Sequence, residues 1–128
     1  MRRLALLSLL VLAFAAPAQA EPRRFVIFFQ EWSAAIDDAA KGVVAEAADY
    51  AKTHPAESIR VSGFADPTGS KQANILLSEL RAQRVADLMI ENGVPTNRIE
   101  KIGRGSVTFA ITSLESRRVE VSVAPTKR

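Results

Sequence analysis

The sequence of 128 residues contains no cysteine and a single histidine, His54. The absence of cysteine excludes disulfides, a thiol nucleophile and a cysteine-based metal site, and it leaves no cysteine for a lipid anchor. One histidine leaves only carboxylates as further zinc ligands, so we predict no metal site and no cofactor. Because His54 precedes Pro55 near the expected end of a helix, an interaction with the helix dipole is its ordinary role, and we expect no catalytic residues.

The long apolar run of the sequence lies at the N-terminus. Arg2 and Arg3 precede an apolar stretch from Leu4 to Ala16, and Ala18-Gln19-Ala20 follows. The stretch is about thirteen residues long, whereas a helix that spans a bilayer needs about twenty. This pattern predicts a secretory signal peptide over residues 1–20 that is cleaved after Ala20, the alternative being an uncleaved anchor. After cleavage we expect no direct insertion into the membrane.

The charge of the exported part is nearly balanced. Of 17 Lys and Arg residues, Arg2 and Arg3 leave with the signal, so 15 remain against 14 Asp and Glu, a net charge of +1. Residues 21–128 are enough for one hydrophobic core and predict one domain. Since nucleic-acid binding favours a basic patch or stripe, the overall charge gives no reason to expect a nucleic-acid partner.

Apolar periodicity predicts an α+β fold of two layers, with helices packed on one small mixed sheet. The run Phe25–Phe29 has no polar residue, which is typical of a strand buried on both faces. Either Ser33 or Asp37 is suited to cap the helix that follows. The predicted elements are, in order, strand 25–29, helix 37–53, strand 58–62, a helix that ends before Gly93, and strands 98–103 and 118–123.

Two patterns that resemble functional motifs are assigned to structure. Gly103-Arg104-Gly105 lacks the lysine and the following helix of a phosphate-binding loop. The pair Asp37-Asp38 stands where a helix N-terminus favours negative charge, so capping explains it better than acid–base chemistry.

Arg81 stands on the apolar stripe of the second helix, between Leu77 and Val85. The ordinary explanation is a stem that packs on the core with the guanidinium in water. An alternative is a binding site, because Asp66 lies in the turn before this helix and Gly69 can adopt a positive φ. An aspartate and a fork-shaped cation suit the ammonium and carboxylate of a zwitterionic ligand.

The distance between these residues is a difficulty for a binding site. In one unbroken helix, Arg81 would lie roughly 16 Å along the axis from Ser70, at about 1.5 Å per residue. A helix break at Leu77-Ser78, with Ser78 as a new N-cap, would bring Arg81 closer, and we take that as the expectation.

Several motifs in residues 25–123 resemble, in the same order, those of the OmpA-like C-terminal domains, a family that includes Pal and the periplasmic part of MotB. The matching segments are Gly63-Phe64-Ala65-Asp66-Pro67-Thr68-Gly69-Ser70 with the family's G-H-T-D-x-x-G-S, Asn74 with its Y-N, Leu77-Ser78-Glu79-Leu80-Arg81-Ala82 with its L-S-x-x-R-A, then Gly93-Val94-Pro95, Arg98-Ile99, Gly103-Arg104-Gly105 and Ser116-Arg117-Arg118-Val119-Glu120-Val121.

The resemblance implies a β-α-β-α-β-β domain that binds peptidoglycan noncovalently, through the diaminopimelate of its stem peptides. Asp66 and Arg81 fall on the family positions that hold the amine and the carboxylate of this ligand. The family's location implies the periplasm, with association with the outer membrane, and envelope proteins as further partners. The predicted ligand-binding residues are Asp66, Arg81, Thr68, Gly69, Asn74 and Arg118.

The sequence departs from the family pattern around the predicted pocket. The usual histidine and threonine are Phe64 and Ala65, the tyrosine before Asn74 is Ala73, and the aspartate after the first strand is Gln30. The asparagine before the arginine pair is Ser116, and only the eleven residues 106–116 separate Gly105 from Arg117.

Two hypotheses therefore remain. A third, an enzyme, is not supported, because the sequence has no nucleophile–base pair and no set of metal ligands. The first is a peptidoglycan-binding module. The second is a divergent domain that has lost the ligand and serves as a protein-interaction or structural module. An open pocket shared by Asp66 and Arg81 would favour the first, and a salt bridge between them would favour the second.

Overall fold

The computed structural model describes residues 21–107 and 113–126, so the predicted signal peptide lies outside the described residues. Four strands form one sheet in the order β1-β4-β2-β3. The strand β2 is parallel to β3, and β4 is antiparallel to both β1 and β2, which confirms the mixed sheet. The elements are β1 (Arg23–Phe28), α1 (Asp38–Thr53), β2 (Glu57–Ala65), α2 (Lys71–Glu91), a 3-10 turn (Thr96–Arg98), β3 (Ile99–Ser106), α3 (Ser113–Ser116) and β4 (Arg118–Pro125).

The helices α1 and α2 pack on one face of this sheet, which confirms the α+β class. The core joins small residues of α1 with β-branched residues of the central strands. Asp37 caps α1, its Oδ1 accepting from the Ala40 amide at 2.8 Å, whereas the Ser33 hydroxyl bonds to the Ala35 amide instead. Within the described ranges, no helix is long and apolar enough to cross a membrane. The core side chains include Val44, Ala47, Ala48, Ile59, Val61, Val85, Met89, Val119, Val121 and Val123.

The first strand is buried on one face only, so the prediction of a strand buried on both faces was wrong. Phe25 and Ile27 are buried against the helical layer, while Val26 and Phe28 on the other face are 37% and 44% exposed. Among the strands of the described residues, β1 lies at the edge of the sheet and pairs only with β4. Because both large helices cover the same face, Val26 and Phe28 on the opposite face remain in contact with solvent.

His54 ends α1, as predicted. It is the C-cap residue, and its ring stacks on that of Tyr50 with centroids 3.9 Å apart. Arg98 holds this end in place, because its guanidinium donates to the carbonyls of Ala51, His54 and Glu57 at 2.8 to 2.9 Å. These bonds satisfy carbonyls at a helix end and join α1 to the start of β2.

Helix α2 runs unbroken past Ser78, so the expected break at Leu77-Ser78 was wrong. The Ser78 hydroxyl donates to the Ile75 carbonyl at 2.7 Å and accepts from the Gly105 amide at 2.8 Å, so it joins the helix to β3 and caps nothing. Opposite it, Gly63 and Gly103 are neighbours on β2 and β3. The absence of side chains there lets α2 lie directly on the sheet.

We expect Gly63→Ala to destabilise the fold by about 1–3 kcal/mol, the usual cost of overpacking. A Cβ at Gly63 would lie 2.0 Å from the Ser78 carbonyl oxygen, so the helix would have to move. Gly42→Ala is the matched control, since a Cβ there meets nothing within 4 Å and alanine is favoured in an exposed helix by about 0.5–1 kcal/mol. Urea unfolding of both variants checks this, and equal stability of the Gly63 variant and wild type would contradict the close approach.

Candidate functional site

A small cavity lies where the end of β2, the first half of α2 and the loop between β1 and α1 meet. Four of the six predicted ligand-binding residues line it, and the volume of about 10 Å³ corresponds to roughly one water molecule. The structure therefore brings the predicted site together, but in a closed form. The lining residues are Glu31, Trp32, Asp66, Thr68, Asn74, Leu77, Arg81 and Arg117.

Arg81 is fully buried, with 0% of its surface exposed. Its guanidinium donates three hydrogen bonds to backbone carbonyls: Nε to Ser33 at 2.8 Å, Nη1 to Phe64 at 2.9 Å and Nη2 to Gln30 at 2.9 Å. The ring of Phe29 lies 5.3 Å below the guanidinium carbon. The explanation in which the head group reaches water was therefore wrong.

Burial lowers the pKa of Arg81 to about 10; the nearby Asp66 opposes this effect and Arg117 adds to it. A pKa of about 10 still keeps the guanidinium charged at neutral pH. The cavity is thus lined by a permanent cation that water does not solvate, and such a cation interacts strongly with any anion that reaches it.

Asp66 is nearly buried, with 7% of its surface exposed. Its Oδ1 accepts from the Ser116 hydroxyl at 2.5 Å, and its Oδ2 forms a salt bridge with Arg117 Nη1 at 3.2 Å. Ser116, where the family pattern has asparagine, therefore still contacts the aspartate. Asp66 and Arg81 form neither an open pocket nor a salt bridge with each other, because each has its own partners.

The turn between β2 and α2 is held by Asn74. Its Nδ2 donates to the Thr68 carbonyl at 2.7 Å, and Ser70 caps the helix by accepting from the Ala73 amide at 3.0 Å. Gly69 adopts a φ of +80°, as its position in the turn predicts. These contacts place the Thr68 and Asn74 side chains at the cavity and hold the turn that carries Asp66.

Arg118 does not line the cavity, contrary to the prediction, and Arg117 does. Arg118 lies 4.1 Å over the Phe64 ring and bonds to Glu120 at 3.0 Å, on the sheet face away from the helices. Alternation along β4 contains the signal for the correct residue. Since Val119 faces the helices, position 117 falls on the same side and position 118 on the opposite one.

Trp32 was not expected at the site. It has a φ of 53° and is the one non-glycine with a positive φ among residues 21–107 and 113–126. Its indole covers Gly69 so closely that a Cβ there would lie 2.6 Å from Trp32 Cη2. Glu31 and Trp32 follow Gln30, whose carbonyl is bound to Arg81, and together these contacts close the cavity.

No group of three histidine, aspartate or glutamate side chains that could share a metal ion occurs in the described part of the chain. The cavity is lined instead by two acidic and two basic side chains, a hydroxyl and an amide. This combination is suited to recognising a small ligand that carries both charges.

Residues 28–120 match the OmpA family, and the chain belongs to this family. It is 34% identical over 80 residues to the peptidoglycan-associated lipoprotein of Brucella melitensis, which covers 62% of this chain and 48% of that protein. It is 37% identical over 82 residues to the peptidoglycan-binding protein ArfA of Mycobacterium tuberculosis, and the match covers 59% of this chain and 25% of that one. The chain thus spans about half or less of the length of these curated relatives.

The fold is also that of a solved family structure. The peptidoglycan-associated lipoprotein of Burkholderia pseudomallei superposes with a TM-score of 0.70 at 23% identity, over 77% of this chain and 89% of that one. The architecture predicted from the motifs is therefore confirmed.

We expect Arg81→Met to destabilise the fold by about 3 kcal/mol or more, because the carbonyls of Gln30, Ser33 and Phe64 would lose their donor and a buried unsatisfied group costs about 1–3 kcal/mol. Arg84→Met, one turn further along the exposed side of α2, is the control and should change stability by less than about 0.5 kcal/mol. Thermal and urea unfolding measure both. If Arg81→Met lowers the stability no more than Arg84→Met does, the three hydrogen bonds of Arg81 contribute little to the stability of the fold.

Proposed function

We propose that the chain is a noncatalytic module that binds peptidoglycan noncovalently, through the free ammonium and carboxylate of diaminopimelate in the stem peptide. The observation that carries this proposal is the placement of a buried arginine and a buried aspartate at one cavity, on the residues that the family motif indicates. The names of two relatives, one peptidoglycan-associated and one peptidoglycan-binding, support it.

The hydrogen-bonding groups of Arg81 and Asp66 suit a zwitterionic ligand. A guanidinium has five N–H donors, of which Arg81 uses three, and a carboxylate has about four lone-pair sites, of which Asp66 uses two. In the proposed complex, Arg81 binds the ligand carboxylate as a fork and Asp66 accepts from the ammonium beside Arg117. Thr68 and Asn74 form the neighbouring wall.

The location follows from the predicted leader. We propose that residues 1–20 direct export, that the folded part acts in the periplasm, and that its attachment to peptidoglycan tethers or locates it in the envelope near the outer membrane. Envelope proteins are further proposed partners. Arg118 lies outside the cavity, so we propose a structural role for it. Its stacking on the Phe64 ring holds the strand that follows Arg117.

A second candidate function is favoured by the closed cavity. A volume of about 10 Å³ does not enclose an amino-acid head group. A divergent domain that has lost its ligand and serves as an interaction or structural module would have these features.

The first experiment is sedimentation of residues 21–128 with purified diaminopimelate-type peptidoglycan. We expect the wild type to sediment and Asp66→Asn to bind at least about tenfold more weakly, because the substitution keeps the shape but removes the charge that the ammonium needs, a loss of about 1.5–3 kcal/mol. Asp49→Asn, on the exposed side of α1, is the matched control. If folded wild type stays in the supernatant, the second candidate function replaces the first.

A second experiment tests the ligand itself. Peptidoglycan with lysine in place of diaminopimelate has the ammonium but lacks the adjacent carboxylate, so Arg81 would have no partner. We expect retention on the diaminopimelate type only, and competition by free meso-diaminopimelate. Equal retention on both types would mean that the module binds peptidoglycan through another group.

A further inference from the structure

Two carbonyls of the loop between β1 and α1 occupy one of the two edges of the Arg81 guanidinium on which a carboxylate can form a pair of hydrogen bonds. The Nε and Nη2 hydrogens of a guanidinium point in parallel, and this pair forms two-point bonds with carboxylates. In this structure, Nε donates to the Ser33 carbonyl and Nη2 to the Gln30 carbonyl, at 2.8 and 2.9 Å. The loop therefore binds Arg81 in the way that a ligand would.

The segment between these two carbonyls is held in a strained conformation. Trp32 has a φ of 53°, and a left-handed conformation costs a bulky residue about 1–3 kcal/mol. The bonds from Arg81 on both sides of it and the packing of its indole on Gly69 maintain this conformation. Because Trp32 is 53% exposed, packing in the hydrophobic core contributes little to holding this conformation.

The enclosed part of the cavity is smaller than the head group that would bind. A space of about 10 Å³ admits a water molecule, whereas an ammonium, a carbon and a carboxylate together need several times that volume. Asp66 and Arg81 belong to regular elements or their direct ends, while Glu31 and Trp32 belong to a loop. Glu31 and Trp32 are exposed and lie between the two carbonyls that bind Arg81, so a movement of this loop uncovers the cavity.

Resting on the proposed function, we propose that residues 30–33 form a gate that competes with the ligand for Arg81. The carboxylate of the ligand replaces the carbonyls of Gln30 and Ser33, and the Trp32 indole leaves Gly69. A ligand without a carboxylate cannot make this exchange, so the gate contributes to specificity. The closed state lowers the apparent affinity in proportion to the fraction of molecules that are open.

The sequence contains one tryptophan, so the fluorescence of the protein reports on Trp32 alone. In a titration of the wild type with meso-diaminopimelate, we expect a saturable change in emission. With 1,5-diaminopentane, which has both amines and no carboxylate, we expect none. Unchanged emission during binding that calorimetry detects, an absence of binding, or an equal response to both compounds would each overturn the gate.

A variant tests the direction of the effect. Trp32→Ala keeps the strained φ but removes the packing on Gly69, so the gate opens more often, and calorimetry should give a Kd for meso-diaminopimelate about two- to tenfold lower. Phe28→Ala, an exposed aromatic on the other face of the sheet, is the control and should leave the Kd unchanged. Weaker binding by the Trp32 variant would show that the indole holds the ligand, and would overturn the gate.

The gate and the proposed function fail in different ways. Wild type that sediments with peptidoglycan while its emission stays constant refutes the gate and leaves the function. Wild type whose emission responds to meso-diaminopimelate, but which does not sediment, supports the gate and refutes peptidoglycan binding. Absence of both responses refutes both proposals.

Discussion

The burial of one guanidinium organises this molecule. Arg81 reaches from the middle of α2 to two carbonyls in the loop between β1 and α1 and to one at the end of β2. A buried charge is costly unless hydrogen bonds replace its hydration, and three short bonds do so here. The loop between β1 and α1, which contributes no helix or strand, is consequently folded onto the sheet. The position of Trp32 and the closure of the cavity both follow from this one interaction.

The electrostatic arrangement explains why the cavity suits a ligand although it is closed. Asp66 is compensated by Arg117 and Ser116, so it does not neutralise Arg81 directly. The charge of Arg81 is stabilised by hydrogen bonds to neutral carbonyls, and a carboxylate is a stronger hydrogen-bond acceptor than a carbonyl. The same contacts that stabilise the closed form therefore leave an advantage for an anionic group.

Much of the fold follows from local patterns. Alternation and three-four spacing predicted the order of strands and helices, and Gly69 adopted the positive φ that its turn requires. The exposure of Val26 and Phe28 was not predictable from their own strand, because an apolar run is the same whether one or two faces are covered. The path of α2 was also misjudged. The helix reaches the end of β2 without a break, because Gly63 and Gly103 let it lie on the sheet, and this depends on contacts between segments far apart in sequence.

The family motifs of the sequence indicated that Asp66 and Arg81 lie at one cavity, and a turn-forming motif and a cation on an apolar stripe are both local signals. Only the tertiary structure decided which groups complete that site. The acceptors of Arg81 are backbone carbonyls as many as 51 residues away, and a carbonyl is present in every residue, so no pattern of side chains indicates which ones are used. The choice of Arg117 over Arg118 was implicit in the alternation of β4, but its partnership with Asp66 depends on how β2 and β4 pair. Burial and pairing are properties of the assembled sheet and helices, which is why the closed state of the cavity is visible only in the folded molecule.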